Sequence, residues 1–296
     1  MGDFQRSGLT EVWALKLVNL FVMKNIQGTS QAGNAQWFKQ WFDSPYYHKL
    51  YFNRNEGEAA AFINRLIHHL QPAPGSLMLD VACGRGRHSR VLAEKGFDVT
   101  GMDLSISSIN YAKRFESDNL HFFQHDMRLP FGINYFNYVF NLFTSFGYFN
   151  STRENDNVIR TMASALKEEG MLVMDYLNVH YAEDHLVHKS EVVLDGVSFF
   201  LTRWFDETHF HKKILIEDDE LSEPLEYTEK VAKFSLGDFN DMFAFHDLQI
   251  QEVYGDYQFG HYDVKKSPRL VMVAKKIYGR NYFIGRMKLS RKIISA

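Results

Sequence analysis

The chain has 296 residues, of which 45% are hydrophobic, so it can bury one large core and a smaller second one. Its formal net charge of -3 gives no overall attraction to nucleic acid or to an anionic membrane, and we expect neither as a partner. The single cysteine excludes an intramolecular disulfide and predicts a reducing, cytoplasmic location.

Residues 1–36 are predicted to be an N-terminal extension and linker. Their apolar stretch is interrupted by Lys16 and Asn19 and is too short to span a bilayer. An amphipathic helix, or an upstream extension before a native start at Met23, explains it better. Whether residues 1–22 belong to the native protein stays open.

An apolar run at residues 77–81 leads into a turn that contains Gly84 and Gly86. A helical segment closed by Gly96 follows, and then a second apolar run that ends at Asp103. Glycine permits the backbone angles that such a turn requires. The pattern therefore predicts a βαβ unit with a ligand-binding turn after its first strand.

This turn favours a cationic ligand that carries no phosphate. Dinucleotide-binding turns follow the pattern G-x-G-x-x-G/A, but Ser89 stands at the position of the third small residue. Asp80 precedes the turn, where a carboxylate attracts an ammonium or sulfonium group and repels a phosphate. An NAD(P)-dependent oxidoreductase is thus the weaker alternative, and a catalytically idle binding or interaction protein is another.

The stretch DVACGRG at residues 80–86 resembles the first motif of class I S-adenosylmethionine-dependent methyltransferases, and GMDLS at 101–105 resembles their second. The resemblance implies an α/β fold with a seven-stranded, mixed, mostly parallel doubly wound sheet. It also implies that S-adenosylmethionine is the cofactor and that Asp103 accepts hydrogen bonds from both ribose hydroxyls. The cofactor-binding residues implied for these two motifs are Asp80, Ala82, Cys83, Gly84, Gly86, Asp103 and Leu104.

Residues 37–70 are aromatic and then helical, and their first segment resembles the N-terminal lid that small-molecule methyltransferases fold over the cofactor. In this lid Tyr51 and Arg54 would hold the methionine carboxylate, because an arginine fork suits a carboxylate. A third strand is predicted at residues 120–124, after which Asp126 and Met127 resemble the pair that contacts adenine. The three acids at successive strand ends are expected to converge on one crevice.

A fully apolar fourth strand is predicted at residues 136–143 and carries Asn141, which we also assign to the cofactor. The clamp Asn/Asp-Pro-Pro-Tyr/Phe of nucleic-acid amino-methyltransferases does not follow it. A helix starting at a Ser151 capping box is expected to run to Glu169, and a fifth strand to span 171–178. The lid and the cofactor-binding core are thereby predicted to occupy residues 37–178.

Residues 179–235 are predicted to form an insert of four short antiparallel strands, with a hairpin turn at Asp195 and Gly196. Such an insert resembles the substrate domain of small-molecule methyltransferases, including those that act on amines and amino sugars. Residues 236–277 would end the core with a helix and two strands. Residues 278–296 form a basic tail.

The predicted reaction is transfer of a methyl group to the amine or hydroxyl of a small molecule by in-line displacement. No metal is expected, since His209 and His211 on one strand face are weak evidence for a site. The acceptor, the methylated atom, the need for a base and the oligomeric state, including a homodimer, stay open. Candidates on the acceptor side are Tyr148 and His180 for catalysis, and Asn178, Arg203, Tyr254, Tyr257 and Arg269 for substrate binding.

Overall fold

The computed structural model describes residues 37–51 and 56–277, so the predicted linker, Arg54 and the basic tail lie outside the described residues. The helices are α1 (Trp37–Phe42), α2 (Pro45–Leu50), α3 (Glu56–Leu70), α4 (Arg87–Glu94), α5 (Ile106–Ala112), α6 (Thr152–Ala165), α7 (Val179–Asp184) and α8 (Leu236–Phe245). The strands are β1 (Leu77–Val81), β2 (Asp98–Asp103), β3 (Leu120–Gln124), β4 (Phe136–Asn141), β5 (Leu166–Leu177), β6 (Lys189–Leu194), β7 (Val197–Phe205), β8 (His209–Glu217), β9 (Leu225–Ala232), β10 (Leu248–Tyr254) and β11 (Arg269–Lys276).

Seven strands form one sheet in the order β3-β2-β1-β4-β5-β11-β10. Neighbouring strands are parallel except β11, which pairs antiparallel with both β5 and β10. The predicted seven-stranded, mostly parallel sheet is confirmed. Because β1 lies between β2 and β4, the strand order reverses beside it, and open α/β sheets bind ligands at the carboxyl ends of strands at such a reversal.

The four strands β6 to β9 form a separate antiparallel sheet in chain order, as predicted for the insert. The turn between β6 and β7 holds Asp195 and Gly196 at φ 48° and 80°. Two successive positive φ angles match the type I′ hairpin turn that this dipeptide favours. A buried hydrophobic cluster joins this sheet to the lid and contains Trp41 of the lid together with Phe199 and Ile214 of the sheet.

The main sheet is covered on both faces, and each face has its own buried cluster. Leu79 of β1 belongs to the cluster shared with α6 and α8, whereas Met78 and Phe140 belong to the cluster shared with α3 and α4. Alternate residues of a strand point to opposite faces, so a strand covered on both sides must be apolar throughout. This explains the continuous apolar runs in the sequence.

The predicted ends of helix α6 and strand β4 and the predicted start of strand β5 at residue 171 differ from the structure, and one helix was missed. Helix α6 ends at Ala165 instead of Glu169, because β5 begins at Leu166, which pairs with Phe136 at the start of β4. Strand β4 ends at Asn141 instead of residue 143, since the backbone turns left-handed immediately afterwards. The short helix α7 was not predicted.

Gly86, in the turn after β1, allows the start of helix α4 and strand β3 to pack closely. A Cβ atom on Gly86 would lie 2.5 Å from the Phe122 ring, and φ at Gly86 is +77°. Gly75 has a similar φ of +69°, but a Cβ there would meet nothing within 4 Å. Alanine substitutions at the two glycines therefore separate the loss of stability that comes from the positive φ angle from the loss that comes from the clash with Phe122.

We expect Gly86→Ala to lower the free energy of unfolding by about 1–3 kcal/mol more than Gly75→Ala, because only the first adds overpacking to backbone strain. Urea denaturation of the two variants measures the difference. Equal losses would show that the Phe122 contact relaxes without cost.

Candidate cofactor and acceptor site

Three residues of the turn after β1 have a left-handed backbone conformation, and part of the turn is open. Ala82, Gly84 and Gly86 have φ of 60°, 56° and 77°. A Cβ on Gly84 would meet no described heavy atom within 4 Å, so this part of the turn leaves room for a ligand. The Gly84 amide donates a hydrogen bond of 2.9 Å to Oδ2 of Asp103 at the end of β2.

Two cavities adjoin at this turn. The main cavity has a volume of about 710 Å³, and the side cavity one of about 60 Å³. Ala82 lines both, so the predicted single crevice is divided in two. Of the predicted cofactor residues, the main cavity is lined by Tyr51, Asp80, Ala82, Cys83 and Gly84, and the side cavity by Ala82, Asp103, Leu104, Asp126 and Met127.

Asp80 is the acid of the main cavity and is 2% exposed. Its Oδ2 accepts a 2.6 Å hydrogen bond from the Ser89 hydroxyl. Ser89, which breaks the dinucleotide pattern, thus orients the carboxylate. Burial raises the pKa of Asp80 to about 7, although the hydrogen bond from Ser89 lowers it and the charge of Asp103 raises it.

This pKa predicts how the affinity for a cationic ligand depends on pH. An ammonium group binds the ionised carboxylate, so below about pH 7 binding must first remove a proton from Asp80. We expect the affinity for S-adenosylhomocysteine to rise by up to tenfold per pH unit between about pH 5.5 and pH 7 and then to level off. Isothermal titration calorimetry across this range tests it, with Asp80→Asn as the control that binds weakly and without this slope. An affinity of the unmodified chain that does not change with pH would contradict the assignment.

Asp103 is held by the backbone on both of its oxygens. Oδ2 accepts from Gly84, and Oδ1 accepts from the Ser105 amide at 2.8 Å. Burial raises the pKa of Asp103, while these two backbone hydrogen bonds lower it. Each carboxylate oxygen accepts more than one hydrogen bond. Asp103 therefore keeps the capacity to accept from a ribose diol.

Asp126 forms an ion pair that the sequence did not predict. Its two oxygens accept from Arg128 Nε, and the Arg128 Nη2 atom lies 2.6 Å from Asp126 Oδ2. Burial raises the pKa of Asp126, but the hydrogen bonds from Arg128 outweigh it, and the net pKa is lowered. An adenine amino group would share this carboxylate with Arg128.

The lid is tied to both the core and the insert. Asp43 Oδ1, just after α1, accepts from the Ser105 hydroxyl at 2.7 Å and from the Ser107 amide at 2.9 Å. On the insert side, Glu229 Oε1 accepts from Tyr51 at 2.7 Å. Tyr51 therefore lines the main cavity while its hydroxyl proton is directed to the insert.

A buried ion pair supports the cavity wall at the end of β4. Phe143 and Thr144 both have φ of 58°, and the Phe143 amide donates to Asp175 Oδ2 at 2.8 Å. Asp175 is fully buried, and its Oδ1 accepts from Arg269 at 2.7 and 2.9 Å. Tyr257 donates to Asp175 Oδ2 at 3.0 Å. Arg269 and Tyr257, predicted to bind substrate, thus hold the backbone that shapes the wall.

Of three further predicted residues, one lines the side cavity and two line neither cavity. Tyr148 lines the side cavity and donates to the carbonyl of Thr144. Asn141 is buried at the end of β4 and donates to the carbonyl of Val81 at 3.2 Å. Gly86 begins α4 as its N-cap.

Six of the seven predicted acceptor-side residues line neither cavity, namely Tyr257 and Arg269, described above, and Asn178, His180, Arg203 and Tyr254. Asn178 caps α7 and donates to the Ser267 carbonyl at 2.8 Å, and His180 stands in the first turn of that helix. Arg203 donates to the Ser190 hydroxyl at 3.0 Å, within the insert. Tyr254, the last residue of β10, donates a hydrogen bond of 2.5 Å to Glu252 of the same strand.

Sequence reasoning missed most of the cationic and aromatic wall of the main cavity. One signal was present, since Arg85 stands inside the glycine motif and Arg87 directly follows it. Another was the spacing of Ser108 and Tyr111, which places both on one face of α5. The missed lining residues are Tyr47, His48, Arg85, Arg87, His88, Arg90, Ser108, Tyr111, Leu142, Phe143 and Ser145.

Two further observations concern metals and membranes. Over residues 37–51 and 56–277, no group of three histidine, cysteine or acidic side chains is arranged to hold a metal ion. His211 instead lies 2.8 Å from Asp206 and stacks on Trp204. None of the helices in the described ranges combines the length and apolar character of a transmembrane segment.

The residues present fit S-adenosylmethionine. A carboxylate stands at each of the two adjoining cavities, and the glycine turn between them is open.

The sequence profile of a family described as "Methyltransferase domain" matches residues 73–229, more than half of the chain. Among its relatives, YqeM of Bacillus subtilis, provisionally named a methyltransferase, is 29% identical over 171 residues, which cover 48% of this chain and 69% of YqeM.

A dTDP-3-amino-3,4,6-trideoxy-alpha-D-glucopyranose N,N-dimethyltransferase of Streptomyces venezuelae is 33% identical over 133 residues, covering 44% of this chain and 54% of that enzyme. The chain thus spans between about half and two thirds of the length of these relatives. A crystal structure of an S-adenosylmethionine-dependent methyltransferase from Clostridium acetobutylicum shares the fold with a TM-score of 0.67 at 18% identity, covering 79% of this chain and 97% of that one. Neither the oxidoreductase nor the idle-protein alternative finds support in these comparisons. The chain belongs to the methyltransferase-domain family and is a class I S-adenosylmethionine-dependent methyltransferase.

Proposed function

We propose that the protein transfers a methyl group to the amine nitrogen of a small molecule bound in the main cavity. The observation that carries the proposal is the cavity of about 710 Å³ beside the glycine turn, enclosed by lid and core residues. A cavity of this size suits a small ligand. The activity for which the Streptomyces venezuelae relative is named, N,N-dimethylation of an amino sugar, supports nitrogen as the acceptor atom.

The roles of the binding residues follow from their chemistry. Asp80 would pair with the ammonium group of the cofactor, and Asp103 would accept from its ribose hydroxyls. Asp126 and Met127, which line the side cavity, would contact the adenine ring. Within the lid, Tyr51 would lie near the methionine end, since it lines the main cavity.

When bound, S-adenosylmethionine supplies a methyl group already activated by a sulfonium. The chain then has to align the acceptor and exclude water. Tyr47, His48 and Tyr51 of the lid lie over the cavity and would shield it. Burial and the charge of Arg85 lower the pKa of His48 to about 4, so its imidazole is neutral near pH 7 and adds no positive charge beside a cationic cofactor.

The test incubates the purified protein with methyl-tritiated S-adenosylmethionine and, in separate reactions, with the small-molecule, nucleic-acid and protein fractions of one cell extract. We expect tritium in amine-containing metabolites. Label found in RNA, DNA or protein and absent from the metabolites would contradict the proposal, whereas label on hydroxyl compounds would correct the acceptor atom. The cytoplasmic location and a homodimer stay predictions from the sequence.

A further inference from the structure

A carboxylate of the insert, Glu229 on β9, lies against the lid and is largely removed from water. It pairs with Lys212, its cross-strand neighbour on β8, with 3.3 Å between Lys212 Nζ and Glu229 Oε2. The Glu229 side chain is 15% exposed and the Lys212 side chain 17%. Charges removed from water are costly unless they are both paired and hydrogen-bonded, and the lid supplies hydrogen bonds to this pair.

Two lid residues donate to the same oxygen of Glu229. The distances to Oε1 are 2.6 Å from Trp41 Nε1 and 2.7 Å from the Tyr51 hydroxyl. Lys212 in turn donates to the Tyr51 hydroxyl oxygen, and its Nζ lies 4.6 Å from the centroid of the Tyr51 ring. The insert therefore holds Tyr51 by its hydroxyl proton, by its hydroxyl oxygen and by its ring.

Tyr51 is the residue through which this cluster reaches the main cavity. It lines that cavity, whereas the side chains of Trp41, Lys212 and Glu229 line neither cavity. A tyrosine hydroxyl has one proton, and here Glu229 accepts it, so Tyr51 offers a ligand its ring and no donor for a carboxylate. A ring attracts a cation only within about 6 Å of its centroid, so the position of the Tyr51 ring affects how tightly a cationic ligand binds.

We propose that Glu229 is a positioning residue that raises the affinity for the cofactor by fixing Tyr51. The inference rests on the proposed function, because that function places Tyr51 near the methionine end of the cofactor. The insert, which resembles a substrate domain, thereby also acts on cofactor binding. Glu229 does this from outside both cavities, through one hydrogen bond to the lid.

The experiment is a double-mutant cycle of Glu229→Gln and Tyr51→Phe in the full chain, with the affinity for S-adenosylhomocysteine measured by calorimetric titration. Each single substitution should raise the Kd by about 3- to 10-fold, the scale of one hydrogen bond. Because both substitutions break the same contact, the double variant should bind about as weakly as the weaker single variant. A general structural role of Glu229, or a direct bond from the Tyr51 hydroxyl to the cofactor, would instead multiply the two effects.

Two matched controls separate the positioning of Tyr51 from other effects. Glu226→Gln makes the same change on β9, but Glu226 pairs with Lys213 at 2.7 Å, and both of these side chains are more than 40% exposed. Tyr46→Phe removes a different hydrogen bond between the lid and the insert, of 2.9 Å from the Tyr46 hydroxyl to Asp218. Neither Glu226 nor Tyr46 lines a cavity, so each control should change the Kd by less than about twofold.

Glu229→Asp tests the same contact if the glutamine variant misfolds. It keeps the charge beside Lys212 and withdraws the carboxylate from Tyr51 by one methylene, so it should also raise the Kd. Thermal unfolding of each variant shows whether it is folded at the temperature of the titration.

Three results would overturn the inference while the proposed function stands. The first is an unchanged Kd in folded Glu229→Gln, and the second is a double variant whose loss is the product of the single losses. The third is a loss in Tyr46→Phe as large as that in Glu229→Gln, which would assign the effect to docking of the whole lid. Failure of the unmodified chain to bind S-adenosylhomocysteine would overturn the proposed function and this inference together.

Discussion

Replacing Asp175 by alanine should lower the free energy of unfolding by about 3–5 kcal/mol, the cost of leaving one member of a buried ion pair without its partner. The side chain is fully buried, and it accepts hydrogen bonds from Arg269, Tyr257 and the Phe143 amide. All three donors lose their acceptor in the variant. The left-handed backbone at Phe143 would also lose the contact that holds its amide.

Urea denaturation provides the measurement, and Asp184→Ala provides the control. Asp184 pairs with Lys265 at 3.7 Å, with both side chains more than half exposed, so its loss should cost no more than about 1 kcal/mol. A double variant, Asp175→Leu with Arg269→Met, should recover much of the stability because it removes both buried charges. Equal losses for Asp175→Ala and Asp184→Ala would show that the buried network contributes little.

Asp103→Ala should weaken S-adenosylhomocysteine binding by about 1–3 kcal/mol, which corresponds to roughly 5- to 150-fold in Kd. The carboxylate lines the side cavity and is the proposed acceptor for the ribose hydroxyls. It also accepts from the amides of Gly84 and Ser105, so its removal loosens the glycine turn. Both effects act in the same direction on cofactor binding.

Two variants separate these contributions. Asp98→Ala removes an acid from the other end of β2 and should leave the affinity unchanged. Asp103→Asn keeps one acceptor oxygen and the size of the side chain, so it should bind more tightly than the alanine variant and more weakly than the unmodified chain. Calorimetric titration gives the affinities. If Asp103→Ala binds S-adenosylhomocysteine as tightly as Asp98→Ala does, the ribose contact is misassigned.

The central βαβ unit was predictable because its signals are local. Gly84 and Gly86 mark the turn, and the apolar runs on either side have strand length. The insert was predictable for the same reason, since alternating residues and the turn at Asp195 and Gly196 define its strands. In these segments the local backbone preference and the tertiary structure agree.

The predictions that were wrong or missing concern places where residues distant in the sequence determine the structure. Helix α6 stops at Ala165 because Leu166 pairs with β4, a contact that overrides the helical preference of the following residues. The Asp175 and Arg269 pair joins residues that are 94 positions apart. The place of Arg85 in the main cavity was also not predicted, because its sequence position puts it in the turn but does not determine which cavity its side chain lines.

The central claim is that the carboxylates at the ends of neighbouring strands bind one adenosyl cofactor that carries positive charge. Calorimetric titration of the unmodified chain with S-adenosylhomocysteine and, separately, with NAD⁺ tests it most directly. We predict saturable binding of S-adenosylhomocysteine with one site per chain and no detectable heat with NAD⁺. Binding of NAD⁺ in place of S-adenosylhomocysteine would contradict it.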